Sequence, residues 1–315
     1  MLQFALPVFG LILAGYLAGK TPIMPASAVV GLSNFAVYAA VPSLMFRTLS
    51  RGGVAESLDP WVMLSYYGGC AVVMALSYLV ARRLLKLAAD ACGVFVMGGS
   101  YGNVVLLGIP LTYTLYGEAG LIAISKIIAA HTPILIPAAT LIVELGRRNR
   151  PDGKSGPREA GRALVATLKA MARNPIVIAI FSGLAFSLLG WSLPKPADRV
   201  LEMLAGAAIP AALFALGAGQ AGYRVIGEAR EMAAMAAIKL LLHPLAVWAL
   251  AGPVMGLAPE AVGVAVLAAS MPVGVNVYLL ARQYNVYIEG AGSAMIVSTA
   301  VSVVTVTALM ELLAP

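Results

Sequence analysis

The stretch SYGNVVLLGIP (residues 100–110) decides how this chain is read. It lies inside a long apolar segment, yet it carries Gly102, Asn103, Gly108 and Pro110. Gly and Pro cost about 1 and 3 kcal/mol relative to Ala in a helix interior, and Asn prefers caps and turns. A segment that is otherwise built to be helical therefore contains its own interruption. A second stretch, ASMPVGVN (269–276), combines Pro272, Gly274 and Asn276 in the same manner.

Composition says where these segments live. The chain has 315 residues, 61% of them hydrophobic and 11% charged, with mean hydropathy +0.91. Soluble domains carry about 25% charged residues. Apolar runs near the ~20 residues that span a bilayer recur at about 2–19, 29–49, 61–85, 91–116, 119–145, 174–190, 200–220, 231–251, 260–283 and 290–313. They are continuous rather than alternating, and in lipid the backbone must satisfy itself, so they are expected to be helices. The reading is an all-α polytopic membrane protein with ten transmembrane helices. The first run lacks a basic leader, and GYLAGKTP (15–22) is not a small-residue cleavage site, so it is read as helix 1.

The positive net charge of +7 is read as a topology signal rather than as a nucleic-acid surface. With ten helices, Lys20, Arg82, Arg83, Lys86, the basic residues of 147–173, Arg224, Arg230 and Arg282 share one side. Arg47, Arg51, Lys195 and Arg199 share the other. The positive-inside rule then puts the 146–173 linker in the cytoplasm and both termini outside, in a cell or inner membrane.

That linker, opening with GRRNRPDGKSGPREAGR (146–162), divides the chain into halves 1–145 and 174–315. Pro7 and Pro175, Gly15 and Gly183, Pro42 and Pro210, and Phe46 and Phe214 match at one constant offset. Five helices per half force the second half to enter from the opposite face, giving two inverted five-helix repeats. Such folds bind substrate between helices broken at corresponding positions. Helix 4 and helix 9, each fourth in its half, hold the two interrupted stretches. Their half-helix N-termini would offer backbone N–H groups to an anion. Kinking or close packing by Gly and Pro is the plain structural alternative.

Several blocks together resemble the auxin efflux carrier family: LPVFGLILAGYLAGK (6–20), NFAVYAAVPSLMF (34–46), NVVLLGIPLTYTLYG (103–117), KLLLHP (239–244) and ASMPVGVNVYLLARQYNV (269–286). Bacterial members of that family include malonate and malate carriers, and its fold is related to that of bile-acid symporters. The resemblance implies broken helices 4 and 9 that cross at the substrate site. It also implies a scaffold of helices 1, 2, 6 and 7, a moving bundle of helices 3–5 and 8–10, an elevator mechanism and a homodimer through the scaffold. Two positions depart from the plant pattern. Gly102 stands where plant members usually have Pro, and Asn276 stands where they carry a second Pro in helix 9. Both residues tolerate non-helical backbone, but the donors differ, so an auxin-like substrate does not carry over.

Ionisable groups inside spans are functional candidates, because an ionised Lys costs about 2.5–3.5 kcal/mol at a helix centre. Lys126 lies about 10 Å and His131 about 18 Å into helix 5. Lys239 and His243 share one face of helix 8. Lys126 reads either as a substrate charge or as a side chain that snorkels or pairs with Glu118. Lys239 reads as a cap on broken-helix carbonyls or as a substrate contact. Each histidine reads as a packed residue or a proton carrier. No carboxylate lies near the middle of a span, so the interior suits an anion.

Other chemistry finds little support. Cys70 and Cys92 have no CxxC spacing. GGSYGN (98–103) lacks the Lys-Ser/Thr of a phosphate loop, and no G-x-S-x-G elbow occurs. No metal, cofactor, enzyme activity or nucleic-acid partner is expected. The expected function is secondary active transport of a small organic anion, a carboxylate such as malonate or another mono- or dicarboxylate. The expected binding residues are Ser100, Tyr101, Gly102, Asn103, Pro272, Val273, Gly274 and Asn276. Lys126, His131, Lys239 and His243 are the candidates for a charge or proton role. The alternatives are a sodium- or proton-coupled carrier of the bile-acid or exchanger type, or a non-transporting receptor on the same fold.

Overall fold

The computed structural model describes residues 2–51, 60–147, 161–162, 165–166, 169, 172–223 and 225–313. Most of the 146–173 linker, and Arg224, lie outside the described residues. The described chain is helical: α1 (Leu2–Gly19), α2 (Ala26–Ser50), α3 (Pro60–Leu84), α4 (Ala91–Ser100), α5 (Val104–Arg147), α6 (Pro175–Leu188), α7 (Lys195–Gln220), α8 (Ala229–Val254), α9 (Pro259–Ala269), α10 (Val275–Tyr284) and α11 (Ile288–Leu313). Six of these, α2, α3, α5, α7, α8 and α11, are long and apolar enough to cross a membrane by length and composition. The shorter apolar helices are α1, α4, α6 and α9.

Local chemistry explains where helices start, loosen and turn. Asn174 caps α6, its Oδ1 accepting from the amides of Ile176 (2.9 Å) and Val177 (3.4 Å), with Pro175 at the first helical position. Turns of π-helix at Ala36–Ala40, Val104–Gly108 and Ile238–Leu242 each run up to a proline two residues on: Pro42, Pro110 and Pro244. Proline lacks an N–H and crowds the carbonyl of the preceding turn, and a widened turn relieves that conflict. Inside α5, Gly117 adopts φ 60° and ψ −144°, a conformation essentially reserved for glycine. Two helical pieces meet across a kink there, which is where the apolar runs 91–116 and 119–145 are parted by two residues.

Packing between the two halves is reciprocal. Helix α1 lies against α7, and α2 lies against α6. A Cβ placed on Gly15 of α1 would lie 2.1 Å from the Phe214 carbonyl oxygen, and one on Gly183 of α6 would lie 2.8 Å from the Phe46 carbonyl oxygen. Gly15 and Gly183 match across the halves, as do Phe214 and Phe46, so one contact repeats the other with partners exchanged. Small residues allow the backbones to approach this closely, which is how helices associate where no hydrophobic effect drives them. At one end of α2, Arg47 pairs with Asp198 (2.9 Å) and Glu202 (3.0 Å) of α7, and Arg51 pairs with Asp198 (3.1 Å).

Burial is concentrated in the interrupted helices. Residues 90–104 and 263–274 are buried without a gap. The outer helices instead present large apolar side chains such as Leu17, Val72, Leu76, Phe181, Trp248 and Val304. That pattern suits lipid as the outer solvent, with the broken segments at the protein's centre.

Candidate functional site

Helix α4 ends at Ser100 and the chain resumes helical form at Val104. Helix α9 ends at Ala269 and α10 begins at Val275. Tyr101 and Gly274 are extended (φ −86°, ψ 104° and φ −78°, ψ 151°). The two interruptions meet as an antiparallel bridge between Gly102 and Val273. The Asn103 amide donates to the Pro272 carbonyl at 2.9 Å, and the Gly274 amide donates to the Tyr101 carbonyl at 3.0 Å. The Val273 amide donates to Ser298 Oγ on α11 at 3.1 Å. A sequence reading leaves the amides of the break unpaired. Here part of them is satisfied by the other break, because buried backbone N–H groups take a partner wherever one lies within reach. The first-turn amides of Val104, Val105, Val275 and Asn276 have no partner among the described residues.

Side chains finish the crossing. Asn103 caps the second half-helix, its Oδ1 accepting from the Leu106 amide at 3.3 Å. It is 8% exposed, and its Nδ2 has no partner among the described residues. Asn276 Nδ2 donates to Tyr101 Oη at 2.6 Å, and that hydroxyl also bonds Thr132 Oγ1 at 2.8 Å. The Tyr101 ring packs on His131 with centroids 4.3 Å apart. Ser100 is turned away from this face, its Oγ donating to the Val96 carbonyl of its own helix at 3.0 Å.

A buried polar chain runs behind the crossing. His131 Nε2 lies 3.3 Å from the Gly102 carbonyl and its Nδ1 lies 3.3 Å from Tyr66 Oη. A carbonyl only accepts, so Nε2 carries the proton and Nδ1 accepts from tyrosine. The Tyr66 ring lies 5.6 Å from that of His243. His243 Nδ1 lies 3.1 Å from Lys239 Nζ, and Nζ donates to the Ala269 carbonyl at 2.5 Å. Cys70 Sγ lies 3.3 Å from His243 Nε2. Lys239 thus caps the carbonyl end of α9. Lys126 is half-buried and partnered, five residues before His131.

The structure therefore brings together the expected residues from Tyr101 to Asn103 and from Pro272 to Asn276, with His131, Lys239 and His243 beside them. Sequence reasoning missed Tyr66, Cys70, Thr132 and Ser298. Each is a small or aromatic residue inside an apolar run, and only the doubled aromatic at 66–67 could have drawn attention. A separate cleft of about 230 Å³ lies between α2, α5 and α7, with Arg47, Arg51, Glu118 and Glu202 in its lining. Both of its arginines are already paired with carboxylates.

The membrane transport protein profile matches residues 2–310. The chain belongs to that family. Across the family, a Rhizobium meliloti (strain 1021) protein named "Putative malonate transporter" is 31% identical over 314 residues, covering 98% of this chain and 94% of that one. A Mus musculus protein named "Lysosomal cholesterol signaling protein" is 26% identical over 321 residues, covering 94% of this chain and 36% of that one. Auxin efflux carrier component 3a of Oryza sativa subsp. japonica is 30% identical over 131 residues, 39% of this chain and 21% of that one. The resemblance to auxin efflux carriers holds, and the membrane transport protein described here is a multi-pass membrane protein.

Proposed function

We propose that this protein is a secondary active transporter of a small organic anion, a carboxylate such as malonate or another mono- or dicarboxylate. The observation that carries the reading is the crossing itself. Two half-helices begin side by side, and their unpartnered first-turn amides, at Val104, Val105, Val275 and Asn276, share the site with the free Asn103 amide group. Helix N-termini carry partial positive charge, and N–H donors left without a partner there suit a carboxylate. The name of the Rhizobium relative gives malonate as the first substrate to test.

In this reading the ten apolar segments form two inverted five-helix repeats, 1–145 and 174–315, joined by a cytoplasmic linker. The exchanged contacts of Gly15 with Phe214 and Gly183 with Phe46 support that symmetry. Segments 1, 2, 6 and 7 act as the scaffold, held partly by the Arg47–Asp198–Glu202 ion pairs. Segments 3–5 and 8–10 move as a bundle that carries the crossing from one side of the membrane to the other. The protein works as a homodimer through its scaffold, in a cell or inner membrane, with both termini outside.

Uptake of labelled carboxylates into proteoliposomes tests the proposal, with malonate, malate and a monocarboxylate compared against protein-free vesicles. Saturable uptake of at least one supports it. Binding without uptake favours the receptor reading, to which the mouse relative's name points.

A further inference from the structure

We propose that Lys239, seated between the Ala269 carbonyl and His243 at the helix crossing, loads a proton together with the anion and makes the protein a proton–anion symporter that needs no sodium. This rests on the carboxylate-transport reading above. The side chain is 0% exposed. Its Nζ lies 2.5 Å from the Ala269 carbonyl oxygen and 3.1 Å from His243 Nδ1. It also abuts the other interrupted segment, since a Cβ on Gly102 would fall 3.2 Å from it. One nitrogen therefore bonds the carbonyl end of α9 and lies beside the break after α4.

The groups that face Lys239 decide how its charge behaves. His243 of its own helix bonds it, Cys70 of α3 and His131 of α5 lie within electrostatic reach, and Tyr66 and Tyr101 pack on the two histidines. None of these is a carboxylate. An ammonium acceptor contact at Nδ1 leaves His243 neutral with its proton on Nε2, facing Cys70. The carbonyl end of α9 supplies partial negative charge, which offsets only part of the cost of burying an ammonium. An anion at the adjacent half-helix N-termini supplies the rest.

Proton and anion binding are then linked, each raising affinity for the other by the same factor. Loading transfers a proton from water on the entry side to the amine (R–NH2 to R–NH3⁺) as the anion arrives. After the bundle moves and the anion leaves, one N–H bond of the ammonium breaks. The proton passes to water on that side, and the neutral amine keeps one of its two remaining N–H bonds on the Ala269 carbonyl. The empty bundle returns without a bare buried charge. Sodium has no place in the cycle, because the carbonyl end that would attract it already holds Nζ.

The test uses the full-length protein in proteoliposomes loaded with a pH-sensitive dye, in sodium-free buffer with the membrane potential clamped. Labelled malonate is imposed outside, and protein-free vesicles measure leak. The wild-type protein is expected to acidify the lumen as malonate enters, and an inside-alkaline gradient is expected to drive malonate above equilibrium. Lys239→Arg, which holds its proton permanently, is expected to lose both acidification and pH-driven accumulation, whatever malonate movement it retains. Malonate entry without acidification, entry that requires sodium, or acidification that persists in Lys239→Arg each overturns the proposal while leaving the transport reading intact. The persisting case would assign the proton to the substrate. Absence of any carboxylate movement overturns both.

Discussion

Replacing Asn103 separates the two jobs this side chain performs. Its Oδ1 caps the half-helix through the Leu106 amide at 3.3 Å, and its Nδ2 is the donor assigned to substrate. Loss of an Asn cap to Ala costs about 0.5–2 kcal/mol of stability. Loss of a charge-assisted hydrogen bond costs about 1.5–3 kcal/mol, or roughly ten- to a hundredfold in affinity at about 1.4 kcal/mol per tenfold. Asn103→Ala is therefore expected to lower the melting temperature modestly and to weaken malonate binding by that factor. Asn103→Asp keeps the cap, because Asp and Asn cap equally well. It replaces the donor with a negative charge that faces the anion. This variant is expected to melt like the wild type and to bind malonate more weakly than Asn103→Ala. Calorimetric titration of detergent-purified protein with malonate, beside a thermal melt, reads both quantities. Wild-type affinity in Asn103→Asp would refute the assignment of this side chain to the anion.

Two further variants probe the frame around the site. Gly15→Val drives a Cβ toward the Phe214 carbonyl oxygen, whereas a Cβ on Gly10 meets nothing within 4 Å. Overpacking costs about 1–3 kcal/mol, so Gly15→Val is expected to melt at lower temperature than Gly10→Val, and equal melting would refute the close approach of α1 and α7. For orientation, Lys195→Cys is expected to react with a membrane-impermeant maleimide in intact cells and Arg83→Cys only after permeabilisation. The native Cys70 and Cys92 are buried and give little background, and the opposite pattern would invert the topology.

The helical segments were legible in the sequence because bilayer-length apolar runs leave the backbone few options. Both interruptions were legible too, since Gly102–Asn103 and Pro272–Gly274 concentrate breakers where the runs otherwise continue. The bridge between Gly102 and Val273 was not, because it is made by backbone atoms that no residue type announces. The Lys239 contact was legible in kind, as a cap on broken-helix carbonyls, but not in its acceptor, the Ala269 carbonyl. A lysine thirty positions from its acceptor in sequence reveals its charge but not its target. Tyr66, Thr132 and Ser298 were invisible for a different reason: hydroxyls within apolar helices are common and carry no spacing. Sequence placed a charge and two histidines near the break, and only the fold showed them to be joined through Tyr66.

The most direct test of the account is a structure of the protein with malonate bound. The account predicts the carboxylate within hydrogen-bond distance of the amides of Val104 and Val105 or of Val275 and Asn276, with Asn103 Nδ2 beside it. Malonate held instead by Arg47 and Arg51 in the cleft between α2, α5 and α7, with the crossing empty, would contradict it.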